Sequence, residues 1–358
     1  MLALDVRAAR ATWTVLLILF SVYCLYEIRK TVLIFVMALL LSSLMGPIAA
    51  FVDRFHSQRI PRAFSIGVLY LLLLTLLGAG LYTVGSRAVE EASALAGTIP
   101  KYAQNPQLLN EIPLPAWLED YRHQLAEFVR TQFQEHAEEL MSAVTSAGKG
   151  LLSALTNIVY VILIPILSFF FLKDSESLRS LITMQFPAGF SRAFIDDVWS
   201  DVHVLLVEFM RAMVLLCFAT FAIFAVAMGV MGVPYALLLS VVAGVFEFVP
   251  VAGPLSAAVT ILAVAAFAGY PHLGWIVVFL IVYRLFLDYV LQPYLMGHGV
   301  ELPPLAIIFG VLAGEQIGGV LGMFLSIPAL ATLRVLYVQY RKDRSPVIQD
   351  ETTPAVAV

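Results

Sequence analysis

Charged side chains occur inside long apolar stretches of this 358-residue chain, where they are costly and therefore mark candidate functional positions. Glu247 lies in the stretch GVFEFVPVAGP, beside Pro250, Gly253 and Pro254. Proline removes a backbone donor and glycine permits tight turns, so this stretch predicts a broken helix next to a carboxylate. Such an acid could bind and release a proton, because burial disfavours its charged form.

A second group of candidates follows further along the chain. Arg284 and Asp288 are four residues apart, which places both on one face of a helix. They could form an internal ion pair that fixes the register of the helix, or one of the carboxylates could titrate during a reaction cycle. Glu247 or Glu315 could equally compensate Arg284, so the residues leave these interpretations open.

A third group lies in the apolar stretch AGEQIGGVLG, where Glu315 and Gln316 are followed by Gly318, Gly319 and Gly322. Broken helices expose backbone amide and carbonyl ends inside a membrane, and such ends are tolerated where protein or a wet cavity satisfies them. A binding site is the usual reason for such a break. We therefore predict that both broken stretches contribute to a site for a solute or an ion.

The composition indicates the environment of these elements. Hydrophobic residues make up 61% of the chain and charged residues 13%, and the mean hydropathy is +0.90, which is typical of an integral membrane protein. The formal net charge is −4 and the basic residues lie near segment ends, so we expect no nucleic-acid partner. We find no His-Glu-x-x-His, Gly-x-Ser-x-Gly or Gly-Lys-Ser/Thr motif, and the histidines lack metal-ligand spacing. These observations predict no catalytic site, no metal, no cofactor and no ATP coupling.

The hydrophobic segments predict an all-α polytopic membrane protein, since about 20 apolar residues cross the hydrocarbon core. There are about eight such segments, and two of them are longer than one crossing requires. The eight are residues 12–27, 31–52, 64–83, 151–172, 205–230, 233–268, 275–295 and 302–338. A polar insertion outside the membrane separates the third from the fourth, and its apolar residues recur at helical spacing from Ala116 towards Ser146.

This pattern divides the chain into five parts. They are the N-terminal transmembrane helices (residues 1–84), the helical extramembrane insertion (85–150), the fourth transmembrane helix with an amphipathic linker (151–204), a C-terminal core of two helix-plus-hairpin repeats (205–340) and a flexible tail (341–358).

The two longest segments cannot be single crossings. Residues 233–268 would be about 54 Å long as a straight helix at about 1.5 Å per residue, nearly twice the hydrocarbon thickness. Each long segment is therefore two closely joined crossings or a re-entrant hairpin. An internal repeat pairs them, because PYALLLSVVAG, which begins at Pro234, matches PLAIIFGVLAG, which begins at Pro304, at five of 11 positions. Re-entrant hairpins would be inverted relative to each other, with tips that meet near the membrane midplane.

The basic residues indicate an orientation. Cytoplasmic N- and C-termini place 12 lysines and arginines on the inner side and 7 on the outer side, in agreement with the positive-inside rule. The acidic insertion then lies outside, where it would pack on the membrane domain or on a neighbouring copy of the chain.

Several motifs together resemble one transporter family. FVPVAGP is followed by DYVLQPYLMG, ELPPLAIIFGVLAG and GGVLGMFLSIPAL, an order similar to that of the autoinducer-2 exporter family of the bacterial inner membrane. The resemblance covers the whole chain and implies a multi-spanning, oligomeric transporter. It also implies that Asp288 and the turn residues Pro250, Gly253 and Pro254 match recurring positions of the family.

The resemblance implies export of a small polar solute or of a signalling molecule such as autoinducer-2, as in quorum sensing. Our hypothesis for the mechanism is that inward movement of protons through Glu247, Glu315 or Asp288 drives this export. Sodium/proton antiport, a passive channel and a non-transporting scaffold are the alternatives. The expected partners are a small-molecule or ion substrate, the lipid bilayer and further copies of the chain. The predicted substrate- or ion-binding residues are Glu247, Pro250, Gly253, Pro254, Arg284, Asp288, Gln292, Gly314, Glu315, Gln316, Gly318, Gly319 and Gly322.

Overall fold

The computed structural model describes residues 6–54, 61–104, 158–186, 190–250, 252–296 and 302–344. Within these ranges all regular secondary structure is helical. Five helical stretches are long and apolar enough to cross a membrane, so the chain is an all-α polytopic membrane protein, as predicted. The predicted amphipathic helix towards Ser146 and the end of the tail lie outside the described residues.

The helices are named here in chain order, with two short π-helical segments named π1 and π2. They are α1 (Val6–Glu27), α2 (Arg29–Asp53), α3 (Arg62–Gly80), π1 (Leu81–Gly85), α4 (Ser86–Gln104), α5 (Ile158–Lys173), α6 (Ser175–Met184), α7 (Phe190–Met231), α8 (Ala236–Phe246), α9 (Ala252–Phe267), α10 (Leu273–Phe286), π2 (Leu287–Leu291), α11 (Gln292–Met296) and α12 (Pro304–Arg344).

The first two helices do not form the antiparallel pair that two separate crossings would require. Helical hydrogen bonds continue through the junction, because the Ile28 amide donates to the carbonyl of Cys24 and the Val32 amide donates to that of Ile28, both at 3.0 Å. The linking stretch contains no glycine or proline, so nothing in it favours a reversing turn. The chain therefore runs from α1 into α2 without reversing.

Helices α2, α3 and α5 form one packed group. Met45 and Ala49 of α2, Ile66 of α3 and Leu172 of α5 are buried against one another. Tyr70 and Ser168 share a hydrogen bond of 2.5 Å between their hydroxyls in the middle of this group. Since a buried hydroxyl is costly without a partner, the pair helps to specify how α3 packs on α5.

Helix α7 is continuous through residue 204, where the sequence predicts the change from linker to membrane segment. It ends at Gly232, whose φ of 69° lies in the left-handed region. The Val233 amide then donates to the Met228 carbonyl and the Gly232 amide to that of Gly229, a glycine-terminated helix end. Helix α9 ends in the same way at Gly269, also with a φ of 69°.

The first hairpin consists of α8, a break that begins at Glu247, and α9. At about 1.5 Å per residue, α8 is about 16 Å long and α9 about 24 Å, so neither crosses about 30 Å of hydrocarbon. The break is tight, because a Cβ atom on Gly253 would collide with the carbonyl oxygen of Phe246. The long segment is therefore a helical hairpin with its turn at the predicted proline and glycine residues.

Residues 304–344 form the second hairpin. They are named as one helix, α12, but the helix is broken at two glycines. Gly318 (φ −143°, ψ 17°) and Gly319 (φ 59°, ψ −139°) leave the helical conformation and reverse the chain. After the turn Gly322 lies against Gly314, where a Cβ atom on either glycine would collide with the carbonyl oxygen of the other. The second long segment is thus also broken at the predicted glycines.

The two hairpins contact each other through aromatic rings. Phe248 in the break of the first hairpin lies 5.3 Å, centroid to centroid, from Phe324 of the second. Phe324 also contacts Phe209 of α7 at 5.7 Å. Helix α7 therefore packs against both hairpins and holds them in one body.

We predict that Gly314→Ala lowers the thermal unfolding temperature of the detergent-solubilised protein. The new methyl group has no room between the two arms of the second hairpin, and overpacking of this kind costs about 1–3 kcal/mol or more. Gly78→Ala is the matched control, because it lies in α3 with no heavy atom within 4 Å of the new Cβ. Equal unfolding temperatures for both variants would contradict the close approach.

Candidate functional site

A cavity of about 420 Å³ lies between α7, the first hairpin and α10. It opens at the protein surface, where the lining residues Leu255 and Ile281 are exposed, and we call it the interior cavity. Its polar lining consists of Thr220, Glu247, Tyr283 and Arg284, and apolar side chains such as Phe224 and Leu280 form the remainder. A mainly apolar cavity with a few convergent polar groups is the usual form of a small-molecule site.

Glu247 is placed in the interior cavity by the break in the first hairpin. It caps the C-terminal end of α8, with its amide still donating to the Ala243 carbonyl at 3.3 Å. Its residue surface is only 7% exposed. The groups that face its carboxylate are Thr220 and Cys217 from α7, and the charged Arg284 and Asp288 from the other side. Among the described residues Glu247 has no salt bridge within 4.0 Å.

Thr220 and Tyr283 join α7 to α10 beside this carboxylate. Their hydroxyls are 2.6 Å apart, and both residues are buried. Thr220 also donates to the carbonyl of Leu216 at 2.9 Å. Because a hydroxyl carries a single hydrogen, Tyr283 is then the donor to Thr220.

Neither Thr220 nor Tyr283 was predicted from the sequence. A threonine in an apolar helix commonly bonds to its own backbone four residues earlier, and a tyrosine fits many packed positions. The one available signal was the position of Tyr283 directly before Arg284 in VYRLF.

The ion pair between Arg284 and Asp288 is present. Nε of Arg284 lies 2.8 Å from Oδ2 of Asp288, and the two side chains are 46% and 36% exposed. Asp288 belongs to π2, which directly follows α10. π-Helical segments are rare inside α-helices and occur frequently at functional sites. Arg284 is therefore paired with Asp288 and lines the interior cavity together with Glu247.

The structure separates the other predicted site residues into distinct groups. Pro254 lines the interior cavity, whereas Pro250 and Gly253 shape the break beside it. Gln292 begins α11, beyond π2, and is half-buried. Four glycines form the turn and the close contact of the second hairpin, namely Gly314, Gly318, Gly319 and Gly322.

Two further predicted residues lie away from the interior cavity. Glu315 and Gln316 are exposed and are not part of its lining. Of the acids predicted to act in the site, Glu247 lines the cavity directly and Asp288 reaches it through Arg284. Within the ranges that the structure describes, no three His, Cys, Asp or Glu side chains come close enough together to hold a metal ion.

The broken helices and the acid between them define a class of protein. Discontinuous helices that surround a polar site at membrane depth are typical of secondary transporters. Residues 15–342 match the sequence profile described as AI-2E family transporter. The chain belongs to this family.

Individual relatives agree with this assignment. The chain is 25% identical over 347 residues to YrrI of Bacillus subtilis (strain 168), with 92% of this chain and 95% of YrrI covered. It is 27% identical over 277 residues to PerM of Escherichia coli (strain K12), with 75% and 74% covered. YrrI is named as a transport protein and PerM as a permease. The protein is thus a multi-pass membrane protein of a transporter family.

We predict that Thr220 and Tyr283 are energetically coupled. In a double-mutant cycle of Thr220→Val and Tyr283→Phe, we expect a coupling of about 0.6 kcal/mol, and at most about 1.7 kcal/mol, as for other hydrogen bonds between membrane helices. Each single variant leaves one buried hydroxyl or its acceptor without a partner, whereas the double variant removes both groups. Unfolding in mixed micelles measures the stabilities of the wild type and the three variants, and strictly additive losses would show that the pair does not interact.

Proposed function

We propose that the protein is a proton-coupled exporter of a small polar solute, with Glu247 as the group that exchanges the proton. One observation carries the proposal. Glu247 as a residue is only 7% exposed, and it lines the interior cavity at the break of a membrane hairpin. Acids at such depth are costly, and proton relays are a common reason for them in transporters.

The charges around the interior cavity support this role. The cavity combines two carboxylates with one guanidinium group, since Arg284 pairs with Asp288 and lines the cavity with Glu247, which has no salt bridge among the described residues. The three groups are neutral together when Glu247 holds a proton, and they carry one negative charge when it does not. A proton and a polar substrate would therefore compete for the same side of the cavity, which is what an exchange mechanism requires.

The lining also indicates the size and kind of substrate. A cavity of about 420 Å³ admits a small molecule. Arg284 can donate to hydroxyl or carbonyl oxygens, and the Tyr283 hydroxyl oxygen can accept from a substrate hydroxyl. Leu280 and Leu287 offer an apolar wall. A small oxygen-rich signalling molecule such as autoinducer-2 fits this chemistry, and the family's description and the relatives' names support a transport role.

Exchange of sodium for protons is a second candidate. The single negative charge that remains when Glu247 is ionised would be neutralised by one monovalent cation. The same acid would then bind the proton and the cation in turn, with no organic substrate.

We place the protein in the bacterial inner membrane as a homo-oligomer. Arg284 and Asp288 are 46% and 36% exposed in one copy of the chain, at the end of a membrane-spanning helix, and lipid is a poor environment for charges. A neighbouring copy would cover them. The excess of basic residues on one side supports a cytoplasmic C-terminus. The predicted cytoplasmic N-terminus would require a reversal between α1 and α2, which the structure does not have, so we do not include it in this proposal.

The test is uptake of labelled autoinducer-2 into inside-out vesicles, with and without an imposed proton gradient. We expect gradient-driven accumulation for the wild type and at least a tenfold loss in Glu247→Gln, which keeps the shape of the side chain but cannot release a proton. Glu315→Gln is the matched comparison, because this acid is exposed outside the interior cavity. We expect it to retain most of the transport.

The other outcomes identify the alternatives. Sodium-dependent proton movement without uptake of the labelled molecule would establish the second candidate. Uptake that is independent of the gradient would indicate a passive channel. Full gradient-driven uptake by Glu247→Gln would exclude Glu247 as the coupling acid.

A further inference from the structure

The N-terminus of α8 lacks a cap from its own sequence. Its N-cap residue, Tyr235, has a left-handed backbone (φ 58°, ψ 33°) and makes no capping hydrogen bond with its side chain. The first helical hydrogen bond joins the Leu239 amide to the Tyr235 carbonyl at 3.0 Å. The preceding amides, including that of Leu238, therefore have no acceptor within the helix.

A carboxylate from α4 supplies the missing acceptor. Oε2 of Glu91 accepts a hydrogen bond of 2.8 Å from the Leu238 amide, across 147 residues of chain. Ala88 and Leu95 lie on the same face of α4, are 1% and 2% exposed, and flank Glu91 at helical spacing. Leu95 belongs to the same buried cluster as Leu239 of α8. The side of α4 that contains Glu91 is therefore packed on α8.

The two ends of α8 thus have different roles. Glu91 binds the N-terminal end, and Glu247 caps the C-terminal end. The helix between them is only 11 residues long. The break at Glu247 joins it to α9. A short helix moves as one rigid piece, so a force at its first turn is transmitted to its last residue.

We infer that Glu91 is a positioning residue for the transport site, and that it acts through α8 on Glu247. This inference rests on the proposed function of Glu247. Helix α4 continues α3 through π1 and forms the first part of the predicted polar insertion, residues 85–150. The hydrogen bond to Leu238 therefore couples the extramembrane part of the chain to the acid in the interior cavity.

The physical basis is the geometry of the helix end. A carboxylate at the first turn satisfies a free amide and interacts favourably with the positive end of the helix dipole. Hydrogen bonds to a charged acceptor are stronger than neutral ones. Without Glu91, the first turn of α8 would fray or tilt, and Glu247 would lose its fixed position relative to Arg284.

The chain contains a natural reporter for such a movement. Helix α8 packs on α7 at Gly244, where an added Cβ atom would lie 3.1 Å from the carbonyl oxygen of Cys217. Cys217 is only partly exposed, so displacement of α8 changes access to its thiol. In a Cys24→Ser background Cys217 is the only cysteine of the chain.

The experiment compares four variants of the full-length protein in nanodiscs. Glu91→Ala removes the acceptor, Glu91→Asp retracts the carboxylate by one methylene group, and Glu91→Gln keeps an oxygen that can accept from Leu238. Glu90→Ala is the matched control, because Glu90 is the exposed neighbour in the same helix. The readouts are hydrogen exchange of residues 236–246, the alkylation rate of Cys217, and the KM and pH profile of transport.

We expect Glu91→Ala to speed exchange in the first turn of α8 and alkylation of Cys217, each about fivefold to tenfold, the scale of a lost helix cap. Glu91→Asp and Glu91→Gln give smaller changes, because the first retracts the carboxylate and the second keeps an acceptor oxygen but loses the charge. Glu90→Ala resembles the wild type. The same order should appear as a shift of the pH profile of transport. If Glu91→Ala does not fold, Glu91→Asp and Glu91→Gln are compared with the wild type and with Glu90→Ala in its place.

Two results would overturn the inference. One is exchange and alkylation in Glu91→Ala and Glu91→Asp equal to those of the wild type. The other is a faster reaction of Cys217 with an unchanged pH profile and KM, since Glu91 would then stabilise α8 without acting on the site. If the wild type shows no gradient-driven transport, the proposed function is wrong. The exchange and alkylation data alone then decide whether Glu91 positions α8.

Discussion

The structure depends on one constraint: inside a membrane each backbone amide and carbonyl needs a partner supplied by protein or by a water-filled cavity. The hairpins at residues 236–267 and 304–344 interrupt the regular helical hydrogen bonding, and the rest of the fold shields these breaks. Helix α7 packs against both hairpins, and Phe248 and Phe324 seal the contact between them. The interior cavity lies where that shielding is incomplete.

The polar groups of the interior cavity follow from the same arrangement. Glu247 points into the protein because the chain turns there, and the Thr220 and Tyr283 hydroxyls satisfy each other across two helices. Arg284 has one carboxylate partner on its own helix and faces another across the cavity. The site therefore combines a fixed ion pair with one acid that has no salt-bridge partner among the described residues, a combination suited to proton exchange.

Several features could be predicted from local sequence, because they depend on the chemistry of a few consecutive residues. Hydrophobic length predicts the membrane segments, and the glycines and prolines near Glu247 and Gly319 predict the breaks. The Arg284 and Asp288 pair follows from helical spacing alone. Residues 12–27 and 31–52 were predicted as separate membrane segments, but α1 runs into α2 without reversing, because the stretch between them contains no glycine or proline.

The sequence by itself determined the membrane class, the family resemblance and the places where the helices break. Proline lacks an amide donor and glycine adopts φ angles that other residues avoid, and both are properties of single residues. Only the tertiary structure decided which polar groups meet. It brought Thr220 to Tyr283 and Glu91 to Leu238, and it left Glu315 outside the interior cavity. These pairings join residues far apart in the chain, and their distances depend on helix packing angles that no short stretch of sequence encodes.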